Sequence, residues 1–204
     1  TAVTIPDGMT VGEGAFSDCQ KLASVTVGNN VTLGDRAFYL SDRENWTSDF
    51  YEVDGIRYYY AIYTSPLHEL TIGDNVTIGG YAFYGAAELE TFTLGKDAVI
   101  GEYAFYNASR LAELDLSAVK SIGDYAFSGD ALYLSLDSAF TTYALDEEGY
   151  YMYSYHAPAF ESIDLSAATE LGIHAFRHNR SLTSVHLGSG ITKLPEAVFN
   201  GCVS

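Results

Sequence analysis

Positive charge is scarce in this sequence: 10 Lys and Arg stand against 27 Asp and Glu, a formal net charge of −17 over 204 residues. Nucleic-acid recognition needs a basic stripe that displaces phosphate counterions, so that class is excluded, and attachment to an anionic membrane surface is disfavoured for the same reason. Long apolar runs are missing too. No stretch approaches 18 consecutive apolar residues, so no spanning helix is expected, and Thr1 opens no charged, apolar, small-residue leader. Cysteine is limited to Cys19 and Cys202, which leaves the redox compartment open. What is abundant is tyrosine, 17 residues beside 11 Phe and one Trp, in a composition (48% hydrophobic, 18% charged) that is globular. Tyrosine either packs with its hydroxyl satisfied or waits at a surface for a partner.

The pair Ala-Phe recurs at Phe16, Phe38, Phe83, Phe105, Phe127 and Phe176, with Val198-Phe199 as a degenerate seventh copy, at spacings of 22, 45, 22, 22, 49 and 23. Five residues before each Phe stands an aliphatic (Val11, Leu33, Ile78, Ile100, Ile122, Leu171, Leu194), and four before it a Gly, replaced by Pro195 in the last copy. About six residues after the Phe comes Leu-x-x-aliphatic-x-aliphatic, as in Leu22/Val25/Val27 and Leu182/Val185/Leu187, with Phe160 leading the copy that ends in Ile163 and Leu165. Its alternating tail is a strand with one face inward. A 22-residue unit made of one short strand, a Gly turn and an Ala-Phe turn of helix cannot bury its apolar face alone, so neighbouring units must stack on a shared core. The expected fold is therefore an α/β repeat solenoid, a right-handed β-α superhelix of about seven 22-residue leucine-rich repeats. The two long spacings exceed 22 by 23 and 27 residues, so everything in the chain is either repeat or insert.

The unit aliphatic-Gly-x-x-Ala-Phe-x-x-Cys-x-x-Leu-x-x-Val-x-Val, as it stands from Val11 to Val27, closely resembles the BspA-like leucine-rich repeat, and the likeness covers almost the whole chain. The resemblance implies a bacterial cell-surface or secreted protein that binds host proteins, other cells or glycans without catalysis and without a cofactor. Residues 1–204 are expected to form one domain. Val3 to Gly8 looks like the strand exit of a preceding copy and no capping repeat is visible, so a fragment of a longer array is expected. In solenoids the repeats specify the scaffold and exposed variable positions specify the partner, so the ligand is not implied.

The inserts, at about 40–66 and 128–159, fall at the same point of the unit and each reads as a β-hairpin followed by a proline. In the first, Phe50 to Val53, Asp54-Gly55 and Ile56 to Tyr63 give strand, two-residue turn and strand before Pro66. In the second, Thr142 to Leu145, Asp146 to Gly149 and Tyr150 to Tyr155 repeat the plan before Pro158, although Leu132, Leu134 and Leu136 also alternate and offer a competing repeat strand. Twelve of the 17 Tyr lie at 39–63 and 133–155, in or at the edge of these inserts, which are also about twice as acidic per residue as the rest. Tyr58 and Tyr60 share one hairpin face, as do Tyr151, Tyr153 and Tyr155. Either these rings hold the small ribbons together, or one face is an exposed platform for a glycan or an extracellular protein.

A second candidate surface is the outward face of the repeat strands, a polar ladder carrying Glu69, Glu113, Asp115 and Asp164 on what would be the concave side. Three neighbouring carboxylates could hold Ca²⁺, but no binding-loop motif accompanies them and a solvated acidic face is the expectation. No enzyme signature emerges. His174 and His178 have zinc-pair spacing, yet Ala175 stands where a metalloprotease needs Glu, and neither a nucleophile elbow, a phosphate loop nor a dinucleotide fingerprint occurs. No catalytic or metal residue is therefore assigned. Cys19 and Cys202 occupy the same slot at opposite ends of the stack, too far apart for a disulfide, and are expected to be small buried residues. Asn30 and Asn75 recur with the repeat turn, as turn chemistry demands.

Overall fold

A computed structural model describes residues 1–40, 46–53, 56–63, 65–129, 131–133, 153–155 and 157–202. Two parallel ladders follow the repeats, the first of them interrupted. In the first, Ala2–Ile5, Ser24–Val27, Glu69–Ile72 and Thr93–Leu94 lie side by side, with Ile5, Val27, Ile72 and Leu94 in one register row. Ser162–Leu165 pairs in the same way with Ser184–Leu187. In the second, six two-residue strands align Val11, Leu33, Ile78, Ile100, Ile122 and Leu171, the aliphatics five residues before each Phe. One register per ladder is what a 22-residue period with one inward face imposes.

Between the ladders the repeat Phe rings stack into a continuous column, with centroids 5.0, 5.1, 5.3, 5.4, 5.6 and 5.7 Å apart from Phe16 to Phe199. Phe83, Phe105, Phe127 and Phe176 are fully buried, as are the alanines before them. Each such ring contributes about 1.5–3 kcal/mol by leaving water. The long inserts do not open the column, since the Phe38 to Phe83 and Phe127 to Phe176 steps match the others. The repeat glycines admit close approach of neighbouring units. A Cβ on Gly172 would lie 2.2 Å from the Asp124 nitrogen, so no side chain fits there.

The expected helical arm does not form: among the described residues the Ala-Phe segment is a run of turns and there is no helix. The residue two before each Phe has a left-handed backbone, with φ of 60° at Gly14, 56° at Arg36, 58° at Tyr81, 52° at Tyr103, 54° at Tyr125 and His174, and 49° at Ala197. Its N–H donates to the next unit, as from Tyr81 to the Glu102 carbonyl (2.8 Å) and from Tyr103 to that of Asp124 (2.8 Å). The Phe N–H does likewise, from Phe83 to Ala104 and from Phe105 to Ala126 (both 2.9 Å). Donors committed to a neighbour cannot make the i→i−4 bonds of an α-helix. The solenoid is thus closed by inter-unit bonds where a β-α superhelix would use intra-segment ones. Asn30 and Asn75 are also left-handed (both 55°), which Asn tolerates better than most residues.

In the first insert Trp46–Val53 pairs antiparallel with Ile56–Tyr63, from Trp46 opposite Tyr63 to Val53 opposite Ile56. The strand begins four residues before the Phe50 start the alternation suggested, and Asp54-Gly55 lies outside the described residues. The second insert departs from expectation. Tyr153–Tyr155 pairs antiparallel with Ala131–Tyr133, so Leu132 belongs to this ribbon rather than to the repeat ladder, while 134–152 lies outside the described residues.

One repeat strand is also absent. Glu113–Leu116 carries the pattern, but no ladder bond joins it to Thr93–Leu94 or to Ser162–Leu165; flanking bonds pin it, from the Ala112 N–H to Glu90, from the Ala159 N–H to Leu111 and from the Ala167 N–H to Ser117. Glu113 and Asp115 would stand beside Asp164 and near Glu161, and like charges facing one another across strands are destabilising.

Candidate functional site

The long strands place their alternate side chains as the period-2 pattern requires. Val25, Val27, Leu70 and Ile72 are buried, whereas Glu69, Glu113, Asp115 and Asp164 are exposed beside Thr26, Thr71, Thr93 and His186. Where Glu113–Leu116 drops out of the sheet, a groove of about 460 Å³ opens, lined by Glu113, Leu114, Asp115, Glu161 and Ser162. Three acids line it, but they do not form a metal-holding group. Asp115 Oδ1 accepts from the Ser117 N–H (2.9 Å) and Asp164 Oδ1 from the Ser166 N–H (2.9 Å) and hydroxyl. These bonds, from the serine hydroxyl first, hold both carboxyls below their ordinary 3.8. Among the described residues no group of three or more His, Cys, Asp or Glu is arranged to hold a metal ion.

His174 and His178 sit in consecutive left-handed turns (φ 54° and 65°), so their four-residue spacing does not give them the common face it would on a helix. His174 stacks on Tyr125 at 4.7 Å, and His178 Nδ1 donates to the Gly129 carbonyl (3.2 Å), with burial pushing its pKa below the ordinary 6.5. Cys19 and Cys202 are both free thiols and neither is fully buried as expected: Cys19 is exposed and Cys202 half-buried, each in a turn with a neighbouring unit on one side alone.

Of the hairpin tyrosines, Tyr58 lies opposite Tyr51 in the strand register and Tyr60 opposite Asp49; Tyr153 lies opposite Tyr133 and Tyr155 opposite Ala131. Tyr151 lies outside the described residues. The structure brings together instead the five tyrosines that the insert count set aside, joined by Tyr39 from the edge of the first insert. Tyr81, Tyr103 and Tyr125, two residues before the repeat Phe, stack at 4.7 and 4.8 Å, capped by Arg36 over Tyr81 (5.4 Å) and by His174 on Tyr125. A second column, Tyr39, Tyr84 and Tyr106, stands one residue after the Phe, with steps of 5.2 and 5.4 Å, and leans on the first through Tyr81–Tyr84 and Tyr103–Tyr106. All six rings are half-buried. The sequence signal was there, Tyr at 81, 103 and 125 on a strict 22-residue period, but a helical reading of the turn gives no reason for those side chains to align.

Acids flank this ladder. The residue before each of the left-handed positions is Glu13, Asp35, Glu102, Asp124 or Glu196, interrupted only by Gly80 and Ile173. Asp35 and Asp124 each use one oxygen on a backbone N–H of the next unit, Gly80 (2.8 Å) and Ile173 (2.9 Å). Glu102 has no ion-pair partner among the described residues. Burial raises the Tyr103 pKa above its ordinary 10.0, and Tyr81, Tyr125, Glu102 and Asp124 add to the shift. The hydroxyls of Tyr81, Tyr103 and Tyr125 have no hydrogen-bond partner among the described residues and touch solvent.

The family model for the BspA type leucine rich repeat region matches six copies over residues 1–98, 54–144 and 146–204. Among solved structures, the chain is similar to a leucine-rich repeat protein from Bacteroides ovatus ATCC 8483, at 21% identity and a TM-score of 0.50. The likeness covers 99% of this chain and 58% of that one, so this chain spans less than two thirds of that protein, and it bears on the fold alone. No curated protein matches. Leucine-rich repeat proteins are typically non-catalytic interaction modules, and BspA-type members are typically bacterial surface proteins. With parallel ladders in register and the family's repeat matched from end to end, the chain belongs to the BspA-type leucine-rich repeat family.

Proposed function

We propose that this chain is a non-catalytic binding module of the bacterial cell surface, a single domain of about seven repeats, that holds an extracellular protein, cell or glycan. The observation that carries this reading is the outward strand face: rigidly stacked units present exposed Ser, Thr, Glu and Asp side chains row upon row over a sealed Phe core. Binding residues concentrate where a scaffold holds them out, which also keeps Tyr58, Tyr60, Tyr151, Tyr153 and Tyr155 of the inserts, and Glu69, Glu113, Asp115 and Asp164 of the strands, as proposed contacts. No constellation of acid, base and nucleophile accompanies them among the described residues, and no cofactor enters the reading.

An architectural stalk is the rival. One observation favours it: on the last strand the inward-position residues Val185 and Leu187 are 36% and 39% exposed, as further units stacked there would require. An array of glycans and extracellular-matrix proteins separates the two. The binding reading expects retention of particular array members by the native chain and loss when Tyr58, Tyr60, Tyr151 and Tyr153 are replaced together by Ala, or Glu69 and Glu113 by Gln. No retention by the native chain supports the stalk, and retention unchanged in both variants moves the contact away from these residues.

A further inference from the structure

We infer that the Tyr81–Tyr103–Tyr125 ladder, with Asp35, Glu102 and Asp124 beside it, is a docking surface for an extended Lys- and Arg-bearing segment of a partner protein, a site distinct from the hairpins and the strand face. The inference rests on the binding-module reading and names the class of partner. Three observations choose that class.

The first is what the stacking leaves free. A sugar ring needs an open aromatic face, but here every face in the column is taken: Arg36 covers Tyr81, the three phenols cover one another at 4.7 and 4.8 Å, and His174 covers Tyr125. What remains is ring edge and hydroxyl, so a pyranose has no platform and a hydrogen-bonding chain does. The second is the state of those hydroxyls. They touch solvent without a partner among the described residues, and phenolic oxygen accepts as readily as it donates. The third is charge. The ladder is bordered by carboxylates on a chain of net charge −17, which repels an acidic partner and attracts a basic one at long range. A Lys ammonium or Arg guanidinium would donate to a Tyr oxygen and to Glu102 or Asp124 while its aliphatic stem covers the exposed ring edges. The ladder is also pre-organised: left-handed backbones pinned by inter-unit bonds hold the three residues in place before any partner arrives, so little ordering entropy remains to be lost.

The test is fluorescence anisotropy with a labelled alternating Lys-Ser dodecapeptide, against the matching Glu-Ser peptide. The native chain should bind the basic peptide alone, with affinity that falls as NaCl is raised from about 50 to about 200 mM. Glu102→Gln with Asp124→Asn should weaken binding by about tenfold or more, and Tyr81→Phe with Tyr103→Phe and Tyr125→Phe by a few-fold, since hydroxyls alone are removed and the rings stay stacked. Asp97→Asn with Glu161→Gln, exposed carboxylates away from the ladder and not among the proposed strand-face contacts, changes net charge equally and should leave binding within about twofold. Equal weakening by the two charge pairs, or no binding of the basic peptide by the native chain, overturns the proposal. Retention of array members by a chain that ignores the peptide would keep the binding-module reading and sink this one. A near-ultraviolet spectrum like the native one establishes that each variant is folded.

Discussion

Phe105 and Tyr103 stand two residues apart in one turn, and each stacks on its counterparts in the neighbouring units, yet they do different work. The Phe column runs at 5.0–5.7 Å in complete burial through its middle, whereas the Tyr column runs at 4.7–4.8 Å half in water. Neither spacing is chosen by the rings. Both follow from backbone N–H groups reaching the next unit, which sets a pitch close to the strand separation of about 4.8 Å. Inside, that pitch is filled with apolar area and becomes stability. Outside, the same pitch repeats a polar edge at constant intervals, leaving residue identity free to serve recognition.

The comparison breaks most visibly if a core ring is removed. Phe105→Ala should cost about 3–5 kcal/mol, read as a shift in the urea midpoint, whereas Phe16→Ala, at the half-exposed end of the column, should cost clearly less. Equal losses would mean that the column is not a core. The inter-unit spacing is tested next by Gly172→Ala, which places a methyl against the Asp124 backbone and should cost about 1–3 kcal/mol, while Gly12→Ala, with nothing within 4 Å, should stay within about 0.5 kcal/mol. Left-handed strain is smaller. Ala197→Gly relieves a φ of 49° at the loss of one methyl and should stabilise by up to about 1 kcal/mol in thermal melts, the residue's greater unfolded freedom offsetting part of the gain.

The smallest effect separates the columns by chemistry. Tyr103→Phe keeps the stacked ring and should change stability by less than about 0.5 kcal/mol at neutral pH. Because burial raises the folded Tyr103 pKa, its contribution is fully present below the ordinary 10.0 and is lost as pH rises through the folded value, so the native chain should weaken in alkali more steeply than the variant. Parallel alkaline profiles would show that Tyr103 is not desolvated. On the acid side His178 works the other way. Its folded pKa is depressed, so its contribution is present above 6.5 and is lost as pH falls through the folded value.

Much of the scaffold was legible in the sequence. The period placed Val11 to Leu171 in one row, Val25 and Val27 inward, and Glu69 and Asp164 outward, because alternation and a fixed repeat leave one register that buries the apolar set. The helical arm was not legible. Ala-Phe turns carry good helix formers, and nothing local says that the Tyr103 N–H will be claimed by a carbonyl of the following unit. The same blindness hid the Tyr ladder, since alignment of residues 22 apart depends on how the turns stack. It also misplaced the partner of Tyr153–Tyr155, because antiparallel register beyond a tight turn is set by contacts distant in sequence.

By itself, then, the sequence determined the repeat, its family, the inward and outward residues and the concentration of negative charge, since each of these follows from period and composition. The tertiary structure alone decided that the turns close by hydrogen bonds between units rather than within them. That choice puts Tyr81, Tyr103 and Tyr125 in one stacked row, because a donor finds its acceptor in space and the nearest free carbonyl belongs to a neighbour that the local sequence cannot name.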